Sequence, residues 1–311
     1  MSVEVLRSIG ERSRDQRPSV VSVGVFDAVH RGHEALLART VEGARALDAV
    51  PTIVTFEPHP MVVVAPERAP CTLATVEQRL ARFEALGIER GLVLGFTREL
   101  SMIEPERFVQ EVLVDALASR AVLVGEDFRF GHKRRGDVEL LRAEGKRFGF
   151  EVEAVGLVRK GGSEISSTTI RQMIADGDVE GAADLLGHPY SLAGTVIEGD
   201  RRGRTIGFPT ANLDPHARAC MPGTGVYAGR WLWRGQRLPG VINVGVRPTF
   251  GEGHPPVVEI HVFDFDADLY GESGEVEFIL RLRPEQRFPS VDALVEQIRK
   301  DAAKARRVLT S

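Results

Sequence analysis

His30 and His33 stand three residues apart in Gly24-Val25-Phe26-Asp27-Ala28-Val29-His30-Arg31-Gly32-His33, where an apolar run gives way to helical period. Such a place is a strand handing over to a helix. A helix start presents unpaired N–H groups and about half a positive charge, a combination that favours phosphate. Imidazoles at that end add donors that can follow charge developing on a phosphoryl group. Two plainer readings also fit the bare residues: exposed loop histidines, or half of a metal site completed by His59. Placement after a buried strand ending in Phe26-Asp27 favours phosphate chemistry.

Hydroxyls cluster again in Ile165-Ser166-Ser167-Thr168-Thr169-Ile170-Arg171. Ser166 can cap a helix beginning there, and Ser167 and Thr168 offer hydroxyls beside its free N–H groups. Arg171 can reach a phosphate with its planar fork. Taken alone, the stretch reads more simply as an N-cap with a surface arginine. Further on, Gly194, Gly199, Gly203 and Gly207 fall within fourteen residues. Glycine lets a backbone approach phosphate closely. Yet GxxxxGK[ST] occurs nowhere, and Arg204 stands where a P-loop needs lysine. A kinase here must grip phosphate differently; a glycine-rich hairpin is the plainer alternative. Asp264, Asp266 and Asp268 lack the glycine and glutamate of a calcium loop and read as a solvated turn.

The elements that must position these residues follow from the hydrophobic pattern. Ser19–Phe26, Thr52–Phe56, Gly91–Phe96, Ala121–Gly125 and Val152–Val158 are short and nearly continuous in apolar residues, as in strands of a parallel sheet. Between them His33–Leu47, Val76–Leu86 and Glu106–Leu117 show helical spacing. The alternation predicts a doubly wound α/β domain, with ligands beyond the carboxyl ends of its strands. Gly187-His188-Pro189 then disfavours continuing the helix. Ser191–Ile197, Gly225–Trp233, Leu238–Val244, Val257–Phe265 and Glu275–Leu282 point to a small antiparallel barrel. A last helix follows Ser290, with Val291, Leu294, Val295, Ile298, Ala302, Ala305 and Val308 on its buried stripe. The expected domains are therefore residues 1–186 and 187–311. The first eighteen residues read only as a short leading segment.

At 311 residues the chain has room for about two domains. Its longest apolar runs are far short of the ~20 residues a bilayer requires. The charged N-terminus has no apolar core of the kind a secretory signal needs. A formal net charge of −4 argues against a dedicated nucleic-acid binder. Two cysteines, Cys71 and Cys220, are too few for a disulfide framework or a cysteine-based zinc site. The expectation is a soluble cytoplasmic protein of a reducing compartment. It would act on small molecules, with no nucleic-acid or membrane partner and with homo-oligomer formation left open.

The stretch GVFDAVHRGHE resembles the HxGH signature of nucleotidyltransferases, in the version carried by bacterial bifunctional riboflavin kinase/FAD synthetases. Thr55-Phe56-Glu57-Pro58-His59-Pro60, then Leu123-Val124-Gly125-Glu126-Asp127-Phe128-Arg129-Phe130-Gly131, then Ile165–Arg171 agree with that family in the same order. Pro209-Thr210-Ala211-Asn212, with the glycine loop before it, resembles the PTAN motif of riboflavin kinases. The resemblance covers nearly the whole chain. One departure stands out: the family usually has glycine where this chain has Ala28. A methyl there would restrict the turn or crowd the nucleotide.

The resemblance implies a Rossmann-like nucleotidyltransferase domain followed by a riboflavin kinase β-barrel with a terminal helix. Together they would convert riboflavin and ATP to FMN, and FMN and ATP to FAD, with Mg²⁺ as cofactor. His30 and His33 would stabilise the transferring phosphoryl group, with Gly24, Phe26, Asp27, Gly32, Ser166, Ser167, Thr168 and Arg171 around the nucleotide phosphates. Phe56, His59, Pro60, Asp127, Phe128 and Phe130 would form the flavin side of that pocket. In the second domain Gly199, Gly203, Arg204 and Gly207 would hold phosphate, and Thr210 and Asn212 the metal. Asn243, Arg247 and Arg287 match stretches lining the flavin side, and Glu259 matches the catalytic base. A glutamate of ordinary pKa (~4.3) is ionised at neutral pH and can accept a hydroxyl proton. Two rivals remain: a nucleotidyltransferase acting on another phosphorylated acceptor, and a non-catalytic flavin-binding protein. The glycine loop and PTAN speak against the first. His30, His33, Arg171, Thr210, Asn212 and Glu259, all retained, speak against the second.

Overall fold

A computed structural model describes residues 3–156, 158–160, 163–199, 203, 206–245 and 256–310. The chain forms two compact units, Met1–Ser166 and Ser167–Ser311. In the first, β1 (Glu4–Leu6), β2 (Ser19–Val23), β3 (Val50–Glu57), β4 (Arg90–Gly95), β5 (Ser119–Gly125) and β6 (Glu151–Val155) make a parallel sheet. Its order is β1-β4-β3-β2-β5-β6. All five residues of β2 are buried. Val21 and Val23 face one core with Val54 and Val122, while Val20 faces another with Leu37 and Phe83. Successive side chains point to opposite faces, so a strand covered on both sides is apolar throughout. Ser22 fits because its Oγ lies 2.7 Å from Thr40 Oγ1 and 3.0 Å from the Leu123 carbonyl.

The leading segment, silent in sequence, supplies β1, whose Glu4–Leu6 pair with Arg90–Leu92 at the sheet edge. The covering helices are α1 (Arg31–Ala46), α2 (Pro60–Val64), α3 (Val76–Ala85), α4 (Arg98–Ser101), α5 (Pro105–Phe108) and α6 (Val138–Phe148). The stretch expected as one helix over 106–117 widens after α5 into a π-helix, Val109–Ala116. Over eight residues, apolar spacing does not separate those two periods. The chain runs β2, β3, β4 to one side, then returns to the far side of β2 for β5 and β6. That reversal opens a crevice beyond the carboxyl ends of the central strands. A short hairpin, β7 (Arg159–Lys160) and β8 (Ser163–Glu164), closes the unit.

The second unit begins with α7 (Ser167–Asp176) and α8 (Val179–Leu186), and α8 ends on Gly187 at φ 86. Both helices pack with the barrel, α7 through the Gly223 N–H, which donates to the Ile174 carbonyl at 2.9 Å, and Arg281 Nη1, which donates to the Asp176 carbonyl at 3.1 Å. Next come β9 (Tyr190–Ile197), β10 (Ala211–Pro215), β11 (Gly225–Trp233), β12 (Gln236–Gly245), β13 (Val257–Val262) and β14 (Ser273–Arg283). They close as a barrel in the order β10-β13-β12-β11-β14-β9, every pair antiparallel. Trp231, Tyr227 and Phe278 are fully buried, the last two meeting edge-on at 5.3 Å.

The terminal helix α9 (Val291–Thr310) is capped as expected, Ser290 Oγ accepting the Ala293 N–H at 3.2 Å. Ala305 packs on Ala228 and Phe263, with Ala302 and Val308 beside it. Val291 departs from the expected stripe and is 62% exposed, in the first turn. Asp301 is buried instead, held by Arg283 Nε at 2.9 Å and Gln297 Nε2 at 2.9 Å. A buried carboxylate survives when its oxygens are paired in this way.

Candidate active sites

Three expected motifs meet at the carboxyl ends of the neighbouring strands β3, β2 and β5. After β2 the backbone takes left-handed conformations at Phe26 (φ 50) and Val29 (φ 45), though not at Ala28. The buried Ala28 methyl therefore asks nothing unusual of its own backbone. His30 is the N-cap of α1, so the helix starts ahead of the expected His33. Its Nδ1 accepts the His33 backbone N–H at 3.3 Å, which leaves the proton of the neutral ring on Nε2. The two imidazoles stack with centroids 3.7 Å apart, and Phe26 meets His33 edge-on at 5.1 Å. A Cβ at position 32 would lie 3.1 Å from His30 Nδ1, so any larger residue there would press on the His30 ring. Gly24 sits under the Phe26 ring in the same way, at 3.0 Å.

Burial, then the neighbouring His30, holds the His33 pKa well below its ordinary 6.5, and its buried Nδ1 has no hydrogen-bond partner among the described residues. His33 is thus neutral at pH 7. The unfolded chain takes up that proton near pH 6.5 and the folded chain resists it. Stability is therefore complete above about pH 6.5 and falls below it, by at most ~1.4 kcal/mol per pH unit. Thermal melts between pH 8 and 5 should show this slope, and His33→Gln should reduce it. Identical slopes in the two proteins would contradict the burial argument.

The other expected residues divide. Asp27 is buried and its two oxygens accept the Leu73 N–H at 3.3 and 3.2 Å, so it holds the approach to α3. His59 caps α2, its Nδ1 accepting the Met61 N–H at 3.1 Å, with Pro60 at the first helical position. Phe56 meets Phe96 edge-on at 5.6 Å. Phe128, half-buried, stacks on Phe130 at 5.3 Å, while Phe130 is core and Asp127 is exposed. Among the described residues no group of three His, Cys, Asp or Glu could hold a metal, so a metal site built from the histidines is not formed. Ser166 ends the first unit, and Ser167, Thr168 and Arg171 lie in the opening turns of α7 in the second. Sequence reasoning missed Arg79, an arginine on the otherwise apolar stripe of α3 and only 3% exposed.

On the barrel, strand register assembles what spacing could not. Asn212 of β10 opposes Glu259 of β13, and Glu259 opposes Asn243 of β12. Directly opposed residues share a face. An amide, a carboxylate and a second amide therefore form one row across three strands. Val241, two residues before Asn243, packs in the cluster with Ala305, which identifies this as the outer face that α9 covers elsewhere. Asn212 is 3% exposed, and among the described residues its buried Oδ1 has no hydrogen-bond partner. Gly199 is required beside it, since a Cβ would collide with the Asn212 amide. A Cβ at Gly203 would press on the Phe208 carbonyl and lie 3.3 Å from Thr210 Oγ1. Gly207 turns the chain at φ 84.

A cavity of about 330 Å³ is lined by Val196, Thr210, Ala211, Ile260, Leu269 and Tyr270, with the opposed pair Ala211 and Ile260 on the other face of the strands that carry Asn212 and Glu259. Asp266 and Asp268, expected in a solvated turn, are exposed but also line it, whereas Asp264 pairs with Arg306. Sequence reasoning also missed His261, whose Nδ1 lies 2.8 Å from the Pro209 carbonyl and ties β13 to the turn before β10. β10, not among the expected strands, pairs antiparallel with β9 across the glycine-rich stretch, in keeping with the plainer expectation of a hairpin between barrel strands. Arg287 is exposed in the segment after β14. Arg204 and Arg247 lie outside the described residues.

Residues 12–169 match a family model described as FAD synthetase, and residues 186–309 one described as riboflavin kinase. The bifunctional riboflavin kinase/FMN adenylyltransferase of Escherichia coli strain K12 is 39% identical over 306 residues, covering 98% of this chain and 97% of its own. That of Pseudomonas fluorescens is 40% identical over 304 residues with the same coverage, and that of Bacillus subtilis 36% over 302 residues, covering 96% and 94%. A crystal structure described as a macrolide-efflux protein from Streptococcus pneumoniae matches with TM-score 0.87 and 31% identity, over 98% of this chain and 99% of that one. Among the described residues no helix is long and apolar enough to cross a membrane.

Proposed function

The chain belongs to the bifunctional riboflavin kinase/FMN adenylyltransferase family, and from that premise we propose how its own residues carry the two reactions. The enzyme phosphorylates riboflavin with ATP to give FMN, then joins FMN to the AMP part of a second ATP to give FAD and pyrophosphate. In the barrel, the terminal ribityl hydroxyl attacks the γ-phosphorus of ATP, Glu259 accepts its proton and ADP leaves. Asn243, opposite Glu259 in the row, would face the flavin. The cavity beside Thr210 takes the nucleoside of ATP. Thr210 and Asn212 would hold Mg²⁺, and a buried, partnerless Asn212 Oδ1 is the kind of neutral hard oxygen that suits it. When bound, the cation offsets phosphate charge.

In the first unit, an FMN phosphate oxygen attacks the α-phosphorus of ATP and pyrophosphate leaves. His30 Nε2–H donates to the phosphoryl oxygens as charge builds, and the start of α1 adds its own field. His33, kept neutral by burial, supports the His30 ring by stacking. Phe56 and Phe128 offer ring faces and edges for the flavin beyond β3 and β5. Positioning and electrostatics suffice, with no covalent enzyme intermediate. We place the enzyme in the cytoplasm, acting on small molecules and engaging neither nucleic acid nor membrane, a reading supported by the net charge of −4 and the nucleotide substrates.

One observation carries the kinase assignment: the orphaned Asn212 Oδ1 in register with Glu259. Asn212→Ala should raise the Mg²⁺ concentration for half-maximal riboflavin phosphorylation about tenfold, by loss of one cation ligand. The Mg²⁺ dependence of FAD formation from FMN should not move. An unchanged kinase titration would remove Asn212 from the metal site.

A further inference from the structure

We infer that Arg79 is a positioning residue for adenylyl transfer, acting through the turn that bears His30 and His33. The inference rests on assigning that reaction to the first unit. Arg79 projects from α3, a helix anchored by a Thr75–Gln78 capping box. Its Nη1 donates to the Val25 carbonyl at 2.8 Å and to Thr55 Oγ1 at 3.0 Å. Its Nη2 donates to Glu57 Oε2 at 2.6 Å and approaches the Phe56 carbonyl at 3.4 Å. Thr55 Oγ1 itself donates to the Val25 carbonyl at 2.9 Å, closing a three-way link.

The partners decide the reading. Val25 directly precedes the left-handed Phe26 and the turn into the His30 cap. Thr55, Phe56 and Glu57 end β3 and lead to His59. One guanidinium thus joins the segment that presents the histidines to the segment expected to face the flavin. Asp27 adds a second tie, holding Leu73 ahead of the same helix. Burying an arginine is costly, and apolar packing would serve an ordinary helix stripe as well or better. Among the described hydrogen-bond partners of Arg79 only Glu57 is an ion; the others are backbone and hydroxyl oxygens of the site. The arrangement spends a buried charge on fixing loop geometry, and displacement of reacting groups by about 1 Å can cost ~10²-fold in rate.

The test assays both activities on the same full-length protein. Arg79→Met should lower kcat for FAD formation from FMN about 30- to 100-fold, with KM for ATP and FMN within about threefold. Riboflavin phosphorylation should stay at the wild-type rate, and Arg79→Lys should recover at least about tenfold of the lost kcat. Thr55→Val, nearly isosteric, should lower the same kcat at least about threefold and decides the matter if Arg79→Met does not fold. Wild-type kcat in Arg79→Met, no recovery with lysine, a loss confined to KM, or an unaffected Thr55→Val in place of an unfolded Arg79→Met would each overturn the inference. Wild-type enzyme that forms no FAD would instead overturn the assignment of the reaction to this unit.

Discussion

Glu259→Ala is expected to abolish riboflavin phosphorylation while FMN is still converted to FAD at the wild-type rate. Glu259 lies between Asn212 and Asn243 in the cross-strand row, one strand from the expected metal ligand and one from the residue expected to face the flavin. A general base contributes about 10²- to 10⁴-fold, so the residual kinase rate should fall by that factor. Glu259→Gln is the sharper variant, because it keeps the shape and removes the acceptor of the proton. Chromatographic assay of FMN from riboflavin, and separately of FAD from FMN, distinguishes the outcomes. A fall in both activities would mean that Glu259 supports the fold and is not the base.

His30→Ala should give the opposite pattern. Removing one donor aimed at a developing oxyanion costs about 10²- to 10³-fold in kcat, or ~2.7–4 kcal/mol. The same change removes the α1 N-cap, worth ~1 kcal/mol of stability, so rate and fold must be separated. His30→Asn separates them. Its amide oxygen can accept the His33 N–H, restoring the cap, but it supplies no imidazole N–H. Melting temperature should return toward wild type while FAD synthesis remains low. FAD synthesis at the wild-type level in either variant would remove the cap histidine from catalysis.

The sheet was legible because β2 and its neighbours are buried on both faces, which forces continuous Val, Ile and Leu. The HxGH turn was legible for a related reason: its histidines and glycine are tied to one cap. Most of the barrel strands were visible from alternation. β10 was hidden, because the glycines before it, which clear space around Asn212 and Thr210, showed the hairpin from β9 but not where its second strand begins. The Asn212–Glu259–Asn243 row could not be seen in advance at all, since register between strands far apart in sequence leaves no local pattern. Arg79 and Asp301 escaped for the opposite reason. A charge at helical spacing ordinarily marks a solvated face, and both are buried only because distant partners meet them. The first and last turns of elements also moved, as with His30 capping α1 and Val291 exposed at the start of α9.

The most direct measurement of the central claim is a time course of purified protein with riboflavin, excess ATP and Mg²⁺, the flavins separated by chromatography. Two sites on one chain, one for each reaction, predict FMN that rises first and then gives way to FAD, with one ADP and one pyrophosphate released per FAD. FMN accumulating without FAD, even when FMN is supplied directly, would contradict the catalytic role assigned to the His30–His33 turn, and no new flavin at all would contradict both sites.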